Sequence, residues 1–207
     1  MLRNLFLTLC SIILFAAGMF AYGTLLLASK KTIYEEMQAK GIKEIKTPHI
    51  LVERSKNQLH FFEDSIKIKT YVCFFGTNSS REKNYYNDNA TPLGEYKIIR
   101  ISQDSNLYKF FQLNYPTKEQ AKSALSKKII DYNDYLSIIN SHDTANYPEL
   151  YSLKFKFGIH GCGRFNSFIK YLPFPFNWTN GSIAITNEDI DEISKFIKIG
   201  SPVKIVF

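Results

Sequence analysis

The hydrophobic pattern opens with one long stretch of apolar residues. Leu5 to Ala28 contains no charged residue, and it lies between Arg3 and a pair of lysines. About 20 such residues cross a bilayer as a helix. The stretch is long for the apolar region of a secretory signal, and no small-x-small cleavage site follows it. The pattern therefore predicts an uncleaved signal-anchor over residues 1–31 and a charged juxtamembrane linker over residues 32–48.

Beyond residue 48 the apolar positions fall into the short alternating runs that are typical of β-strands. Ile66 to Phe75 alternates at first and then becomes fully apolar, as in a strand that starts half exposed and ends in the core. Leu153 to Phe157 also alternates and leads to His160. The predicted strands are 50–54, 59–63, 66–75, 96–101, 108–113, 153–157, 182–185 and 203–207. Residues 49–207 are therefore predicted to form one mainly β (α+β) domain with mostly antiparallel strands.

A few short helices are predicted between these strands. Thr117 opens a capping box with Gln120, and a second helix covers Tyr132 to Ile139. Thr186 is the N-cap of a third helix, and the acidic residues Glu188 and Asp189 suit its first turn better than they suit acid–base catalysis. Polar or Phe-Pro-rich runs at 76–90, 141–148 and 163–177 predict loops.

Composition and charge narrow the function classes only slightly. The net charge is +7, but the basic residues are scattered and no basic-aromatic motif accompanies them, so nucleic-acid binding is not favoured. The three cysteines, Cys10, Cys73 and Cys162, show no metal-binding spacing. A disulfide between Cys73 and Cys162 suits an oxidising compartment, but the sequence does not decide whether it forms.

Four motifs in order resemble the L,D-transpeptidase (YkuD-like) catalytic domain family, over about Ile50 to Phe207. His160-Gly161 is followed after a loop by Thr179-Asn180-Gly181-Ser182, where the family has Ser/Thr-x-Gly-Cys. The other three motifs are Thr91-Pro92-Leu93-Gly94-Glu95-Tyr96, similar to the family's Thr-Pro-x-Gly-x-Tyr/Phe turn; Asn114-Tyr115-Pro116-Thr117, similar to an insert of the murein-modifying branch; and Ile183 to Ile190 with Gly200-Ser201-Pro202-Val203, similar to the usual tail. Together they are more specific than any one alone.

The resemblance implies a fold, a reaction and a set of site residues. The fold would be a mixed β-sandwich or barrel with a few short helices. The protein would attack the L-to-D peptide bond after the third residue of a peptidoglycan tetrapeptide stem, through an acyl-enzyme and without a metal or cofactor. His160 would be the base, with its tautomer fixed by the Gly161 carbonyl. The N–H groups of Gly181 and Ser182 would bind the oxyanion. The residues implied to bind substrate are Trp178, Thr179 and Asn180, although Trp178 also suits a partly buried core position.

The same resemblance implies that the domain lies on the periplasmic side of the cytoplasmic membrane, held there by the N-terminal helix. The charge distribution favours the opposite orientation. Five lysines between residues 30 and 46 outnumber Arg3, and the positive-inside rule then places the C-terminus in the cytoplasm. This bias is small, and the later lysines lie progressively farther from the membrane. We therefore expect the periplasmic orientation.

Ser182 departs from the family pattern, which has the nucleophilic cysteine at this position. A thiol with a pKa of about 8.5 yields thiolate beside a histidine, whereas a serine hydroxyl loses its proton only during attack. Three interpretations remain open: a pseudoenzyme that still binds stem peptides, a genuine serine enzyme with impaired turnover, or a serine introduced artificially into a cysteine enzyme. Within the same fold, a peptidoglycan carboxypeptidase or amidase is an alternative to a transpeptidase.

Other chemically interesting residues have simpler explanations. Cys162 lies two residues after His160 and is an alternative nucleophile, but a small residue packed in the core is the preferred interpretation. The remaining histidines are predicted to be structural: His49 at the domain edge, His60 on a strand and His142 in a loop.

Overall fold

The computed structural model describes residues 1–78, 83, 88–144 and 157–207. Within them lie eight strands, β1 (Pro48–Glu53), β2 (Gln58–Glu63), β3 (Ile66–Val72), β4 (Gly94–Asp104), β5 (Tyr108–Leu113), β6 (Gly158–Gly161), β7 (Ile183–Ile185) and β8 (Pro202–Val206). The helices are α1 (Leu2–Ala28), α2 (Ile33–Ala39), α3 (Lys118–Ser126), α4 (Tyr132–Thr144), α5 (Asn166–Ile169) and α6 (Asn187–Ser194), with 3₁₀ turns at Arg54–Lys56 and Gly163–Phe165.

The strands form a single sheet that curls into a nearly closed barrel. Their order is β3-β2-β1-β8-β4-β5-β6-β7, and the pairs β1–β8 and β6–β7 are parallel while the other five are antiparallel. Phe74, just beyond β3, exchanges two backbone hydrogen bonds with Ala184 on β7, so the two edges of the sheet meet. The mainly β fold with a few helices, predicted from the sequence, is confirmed.

The core fills the inside of this barrel with aliphatic and aromatic side chains. Alternation along each strand turns every second residue inward, and β-branched and aromatic residues suit such positions. On β6 and β7 the inward residues are Ile159, Ile183 and Ile185, all fully buried. Their neighbours His160 and Ala184 consequently point to the opposite face of the sheet.

Part of the segment predicted to be a juxtamembrane linker forms helix α2, which packs on the domain. Ile33 and Met37 are buried and belong to the main core cluster. The helix begins with a capping box in which Thr32 and Glu35 bond each other's backbone N–H groups. The apolar spacing of Ile33 and Met37 is thus the buried face of a helix on the domain, rather than part of an extended tether.

Several predicted loops contain more regular structure than expected. Residues 141–144 continue α4, where the Ser141 hydroxyl donates to the Ser137 carbonyl, and residues 163–177 include a 3₁₀ turn and α5. α5 forms because Ile169 is buried and the Asn166 side-chain amide donates to Glu188. The predicted strand 153–157 lies outside the described residues except for Phe157, which is buried.

Helix α1 is long and apolar enough to cross a membrane, with a mean hydropathy of 2.2 over 18 residues. Nearly all of its large side chains are exposed, and Gly23 is the residue that is buried. Such a helix matches either a membrane anchor or a signal sequence.

Candidate active site

His160 lies on the short strand β6 between β5 and β7. Its backbone pairs with Phe110 on one side and Ala184 on the other. The imidazole is nearly parallel to the Phe110 ring, with centroids 6.3 Å apart, and Trp178 approaches it edge-on at 6.2 Å. Only 3% of His160 is exposed. The strand and two aromatic rings therefore hold this side chain in one position.

The hydrogen bonding of His160 determines its tautomer. Its Nδ1 lies 2.7 Å from the backbone oxygen of Gly161. A carbonyl oxygen only accepts hydrogen bonds, so Nδ1 must carry the proton and donate it. The lone pair of the neutral ring is then on Nε2, which makes no hydrogen bond within the described residues. This geometry matches the predicted pairing of His160 with the Gly161 carbonyl and leaves Nε2 able to act as a base.

Burial also keeps the ring neutral. It lowers the pKa of His160 below its ordinary value of 6.5, since the imidazolium is poorly solvated there, while the hydrogen bond to Gly161 opposes the shift. At neutral pH the histidine is therefore unprotonated, which is the form that a general base needs.

Ser182 lies immediately before β7, on the same face of the sheet as His160. The register pairs Ile159 with Ile183, so the inward side chains face each other and Ser182 shares the outer face with His160. Ser182 is 9% exposed. The parallel β6–β7 pair thus presents the predicted base and the predicted nucleophile to one side.

Thr179 shapes the turn that leads to Ser182. Its hydroxyl donates to the Ser182 carbonyl at 2.5 Å and accepts a hydrogen bond from the Gly181 N–H at 3.2 Å. Gly181 has a φ of 113°, and a Cβ there would lie 2.5 Å from the Ala90 carbonyl oxygen, so only glycine suits this position. Gly181 must release Thr179 before its N–H can bind an oxyanion. The oxyanion role of Gly181 and Ser182 remains a prediction.

Comparison with known proteins identifies the family of the domain. The family model of the L,D-transpeptidase catalytic domain, YkuD, matches residues 47–205. The chain belongs to this family. No curated protein gives a significant sequence match.

Solved structures with a similar fold come from several bacteria. An L,D-transpeptidase of Xylanimonas cellulosilytica has 10% identity and a TM-score of 0.46 over 79% of this chain and 62% of its own. Bd1075 of Bdellovibrio bacteriovorus has 16% identity and 0.46 over 78% and 48%. An L,D-transpeptidase of Mycobacterium tuberculosis has 12% identity and 0.46 over 78% and 58%. The chain spans about half to three fifths of these proteins.

The other residues predicted to bind substrate in this L,D-transpeptidase domain occupy different environments. Asn180 is exposed at the tip of the turn, whereas Thr179 is buried and bonded within the turn. Trp178 is half buried, contacts His160 and Phe165, and its indole N–H has no partner in the described structure. Substrate binding by Trp178, Thr179 and Asn180 therefore remains a prediction, and Asn180 is the one of the three that is exposed.

Cys162 points into a small apolar cluster instead of the site. It is 1% exposed and packs with Phe74, Ile169 and Ala184. Its thiol donates to the Ile185 carbonyl at 3.1 Å, and burial raises its pKa to about 12. A thiol that stays protonated at neutral pH is a poor nucleophile. Cys73 is likewise a buried free thiol, so the two cysteines are not bonded to each other.

The turn from Thr91 to Gly94 is hydrogen-bonded to segments that adjoin the predicted site. The Thr91 hydroxyl accepts from the Gly76 N–H at 3.1 Å, and the Thr91 carbonyl accepts from the Arg54 guanidinium at 2.7 Å. Gly76 in turn forms a bridge with Thr179. The turn motif is therefore linked, through the segments at Gly76 and Thr179, to Ser182, the predicted nucleophile.

A buried ion pair near the nucleophile was not predicted from the sequence. Lys83 and Asp88 lie 2.6 Å apart with almost no exposed side-chain surface. A Cβ on Gly181 would lie 3.2 Å from the Lys83 ammonium, which places a positive charge beside the Gly181–Ser182 peptide. In the sequence, these residues stand in a polar run that predicts a solvated loop, so no local signal identified them.

The remaining histidines have structural partners. His60 bonds Glu53 and Thr70, His142 bonds the Pro116 carbonyl, and His49 stacks on Phe62. These contacts account for the placement of the three side chains without any catalytic role.

Proposed function

We propose that the chain is a membrane-anchored, periplasmic L,D-transpeptidase that uses Ser182 in place of cysteine and turns over slowly. It would act on tetrapeptide stems of peptidoglycan through an acyl-enzyme. The observation that carries the proposal is the hydrogen bond from His160 Nδ1 to the Gly161 carbonyl. That bond leaves a neutral Nε2 on the face of the β6–β7 pair that also carries Ser182.

The residues present can perform each step of acyl transfer. His160 Nε2 takes the proton of the Ser182 hydroxyl while the oxygen attacks the carbonyl after the third stem residue. The backbone N–H groups of Ser182 and of Gly181, once Gly181 releases Thr179, stabilise the negative charge that develops on the carbonyl oxygen. The imidazolium then returns its proton to the departing amine, which leaves an ester on Ser182. An amine or water takes the acyl group and regenerates the serine.

Slow turnover follows from the same geometry. A serine hydroxyl needs full help with proton removal, and efficient serine enzymes commonly orient their histidine with a carboxylate. Here the partner of His160 is a neutral backbone carbonyl, and burial disfavours the imidazolium that must form. These two features favour a second candidate function, a pseudoenzyme that binds stem peptides without turnover.

The experiment that separates these functions compares the full chain with Ser182→Cys and Ser182→Ala, in detergent, on purified tetrapeptide muropeptides. Mass spectrometry would follow release of the fourth stem residue and any ester on the protein. We expect slow release by the native chain, at least about tenfold faster release by Ser182→Cys, and none by Ser182→Ala.

Each other outcome has a distinct meaning. Equal release by Ser182→Ala and the native chain would exclude Ser182 as the nucleophile. Binding without release, rescued by Ser182→Cys, would identify a pseudoenzyme. A product with a free carboxylate would indicate a carboxypeptidase, and a cross-linked stem would indicate a transpeptidase.

The periplasmic orientation has its own test. An alkaline phosphatase reporter fused after Lys46 folds into active enzyme only outside the cytoplasm. An active fusion is expected. An inactive fusion, with an active cytoplasmic reporter at the same position, would contradict the proposed orientation.

A further inference from the structure

The exposed aromatic side chains of the domain are concentrated in residues 163–177, here called the aromatic segment. It runs from the end of β6 to the turn before Ser182. The four exposed rings in it are Phe165 at 54%, Phe168 at 65%, Phe174 at 51% and Phe176 at 38%. Single exposed apolar residues are ordinary on a protein surface, but a group of large ones marks a binding surface.

Helix α1 contacts the middle of the aromatic segment. The rings of Phe20 and Tyr171 lie 4.7 Å apart. A Cβ on Gly23 would lie 1.9 Å from the Tyr171 carbonyl oxygen, so at this glycine the two backbones touch. Tyr171 therefore lies level with residues 20–23 of the helix.

The length of α1 then gives the depth of Tyr171 in a bilayer. A hydrocarbon core of about 30 Å takes about 20 helical residues. The charged Arg3 lies outside the hydrocarbon core, so a core that begins at Leu5 ends near residue 24. Residues 20–23, and Tyr171 with them, then lie in the last helical turn before the headgroups.

The domain is fixed at this depth by a short connection. Four residues, 29–32, separate α1 from α2. Lys30 forms an ion pair with the buried Asp189 of α6, and the Ile33 N–H donates to Glu192 of the same helix. Since α2 packs in the core, the connection is too short to let the domain move away from the membrane.

We propose that the aromatic segment is an interfacial membrane-binding element that inserts its exposed phenylalanines into the bilayer crossed by α1. Aromatic rings at the boundary, with cations nearby for the phosphate groups, are the chemistry of such elements. Arg164 is exposed and supplies one cation, while Lys170, which is paired with Glu188 at 3.1 Å, lies next to Tyr171. The inference rests on the proposed membrane anchoring and goes beyond it, because an anchor alone leaves the orientation of the domain undefined.

The insertion places the active site at the membrane surface. Trp178 follows the aromatic segment and contacts both Phe165 and His160. The site therefore faces stem peptides in the layer next to the membrane, including those still attached to a lipid carrier, rather than stems in the distant wall.

Tryptophan fluorescence in lipid vesicles tests the insertion, since Trp178 is the chain's single tryptophan. The full chain with Phe168→Trp and Trp178→Phe would be reconstituted in phosphatidylcholine carrying bromine close to the headgroup. The matched control is Tyr132→Trp with Trp178→Phe, because Tyr132 is an equally exposed aromatic, at 62%, on α4. We expect bromine to remove about half of the emission at position 168 and less than about a tenth at position 132.

Three results would overturn the inference. Quenching at position 168 by aqueous acrylamide but not by bromine would place the segment in water. Protection from both quenchers would show that protein covers it. If the chain stays in the supernatant when vesicles are sedimented, α1 does not anchor it. That result is distinct from an anchored chain whose aromatic segment fails to insert. None of these readouts depends on turnover, so the proposed catalysis is tested separately.

A second measurement avoids changing Trp178. A nitroxide on Phe168→Cys would be compared with one on Tyr132→Cys, each in a Cys10→Ser background with Cys73 and Cys162 buried. Insertion predicts that oxygen, which is enriched in lipid, relaxes the label at position 168 more than a water-soluble nickel complex does. The reverse preference at position 168 would overturn the inference.

Discussion

His60 and His160 are equally buried, each with 3% of its surface exposed, in two different parts of the barrel. His60 lies on β2 with both ring nitrogens occupied, one 2.7 Å from Glu53 and the other 2.9 Å from the Thr70 hydroxyl. His160 lies on β6 with one nitrogen bonded to a backbone carbonyl and the other left as an acceptor on the face shared with Ser182.

The difference shows that burial alone does not identify a catalytic histidine in this fold. The partners of His60, Glu53 and the Thr70 hydroxyl, lie away from the predicted site, so this ring is expected to contribute to stability. A ring held by one nitrogen is oriented and still reactive, which is the arrangement that general bases share. The comparison predicts a structural role for His60 in the β2 region and a chemical role for His160 in the β6–β7 region.

Replacing His160 is expected to have the largest effect on activity. His160→Gln can still donate to the Gly161 carbonyl but has no group that accepts the serine proton. We expect release of the fourth stem residue to fall by about 100- to 10,000-fold. The variant is best measured in both the native and the Ser182→Cys chains, so that slow native turnover does not hide the loss.

The matched control is His60→Gln, which makes the same chemical change on β2. Its activity per folded molecule should stay within about twofold of the native chain, because β2 does not border the site. Equal losses of activity in His60→Gln and His160→Gln would contradict the different roles predicted for the two regions.

For stability, in contrast to activity, we expect a clear effect from replacing His60. His60→Ala removes hydrogen bonds from Glu53 and Thr70 and leaves a cavity between β2 and β3, so we expect it to lower the free energy of unfolding by about 1–3 kcal/mol. Urea unfolding of the detergent-solubilised chain would measure this, with unchanged activity in the folded fraction. A fully stable His60→Ala chain would contradict the structural role.

The part of the molecule that the sequence predicts correctly depends on local signals. β5 has the predicted bounds, and β2 begins one residue early. The Thr117–Gln120 capping box and the Thr186 cap both form as expected. Caps and strand alternation involve residues a few positions apart, so the physics that creates them is visible in a short stretch of chain.

What escaped prediction depends on contacts between distant positions. Ile33 is buried by strands that follow it by many residues, and Phe74 closes the barrel against Ala184. The burial of Lys83 and Asp88 arises only when Gly181 approaches them. Each residue has an ordinary local setting, and none of these environments has a signature within one stretch. The catalytic motif was recognised because the family resemblance joins such distant stretches.

The pH dependence of stability offers a smaller effect with a definite sign. Burial lowers the pKa of His160, so below about pH 6.5 the unfolded chain binds a proton that the folded chain resists. Stability should therefore be fully present above about pH 6.5 and decline as the pH falls toward the lowered pKa. The loss should disappear in His160→Gln. Thermal unfolding of both chains between about pH 7.5 and pH 5 would measure the difference, and parallel curves would contradict it.

Cys162→Ala is expected to have the smallest effect, and it tests whether chemistry in the β6–β7 region belongs to Ser182 alone. The substitution removes a sulfur that packs against Ile169 and donates to the Ile185 carbonyl. We expect a loss of about 1 kcal/mol in the free energy of unfolding and no change in release of the fourth stem residue. Mass spectrometry of the acylated chain would give the position of the ester or thioester. An adduct on Cys162, or an inactive but folded Cys162→Ala chain, would move the nucleophile from the start of β7 to the end of β6. The buried thiol, with its raised pKa and its bond to a backbone carbonyl, argues against that result.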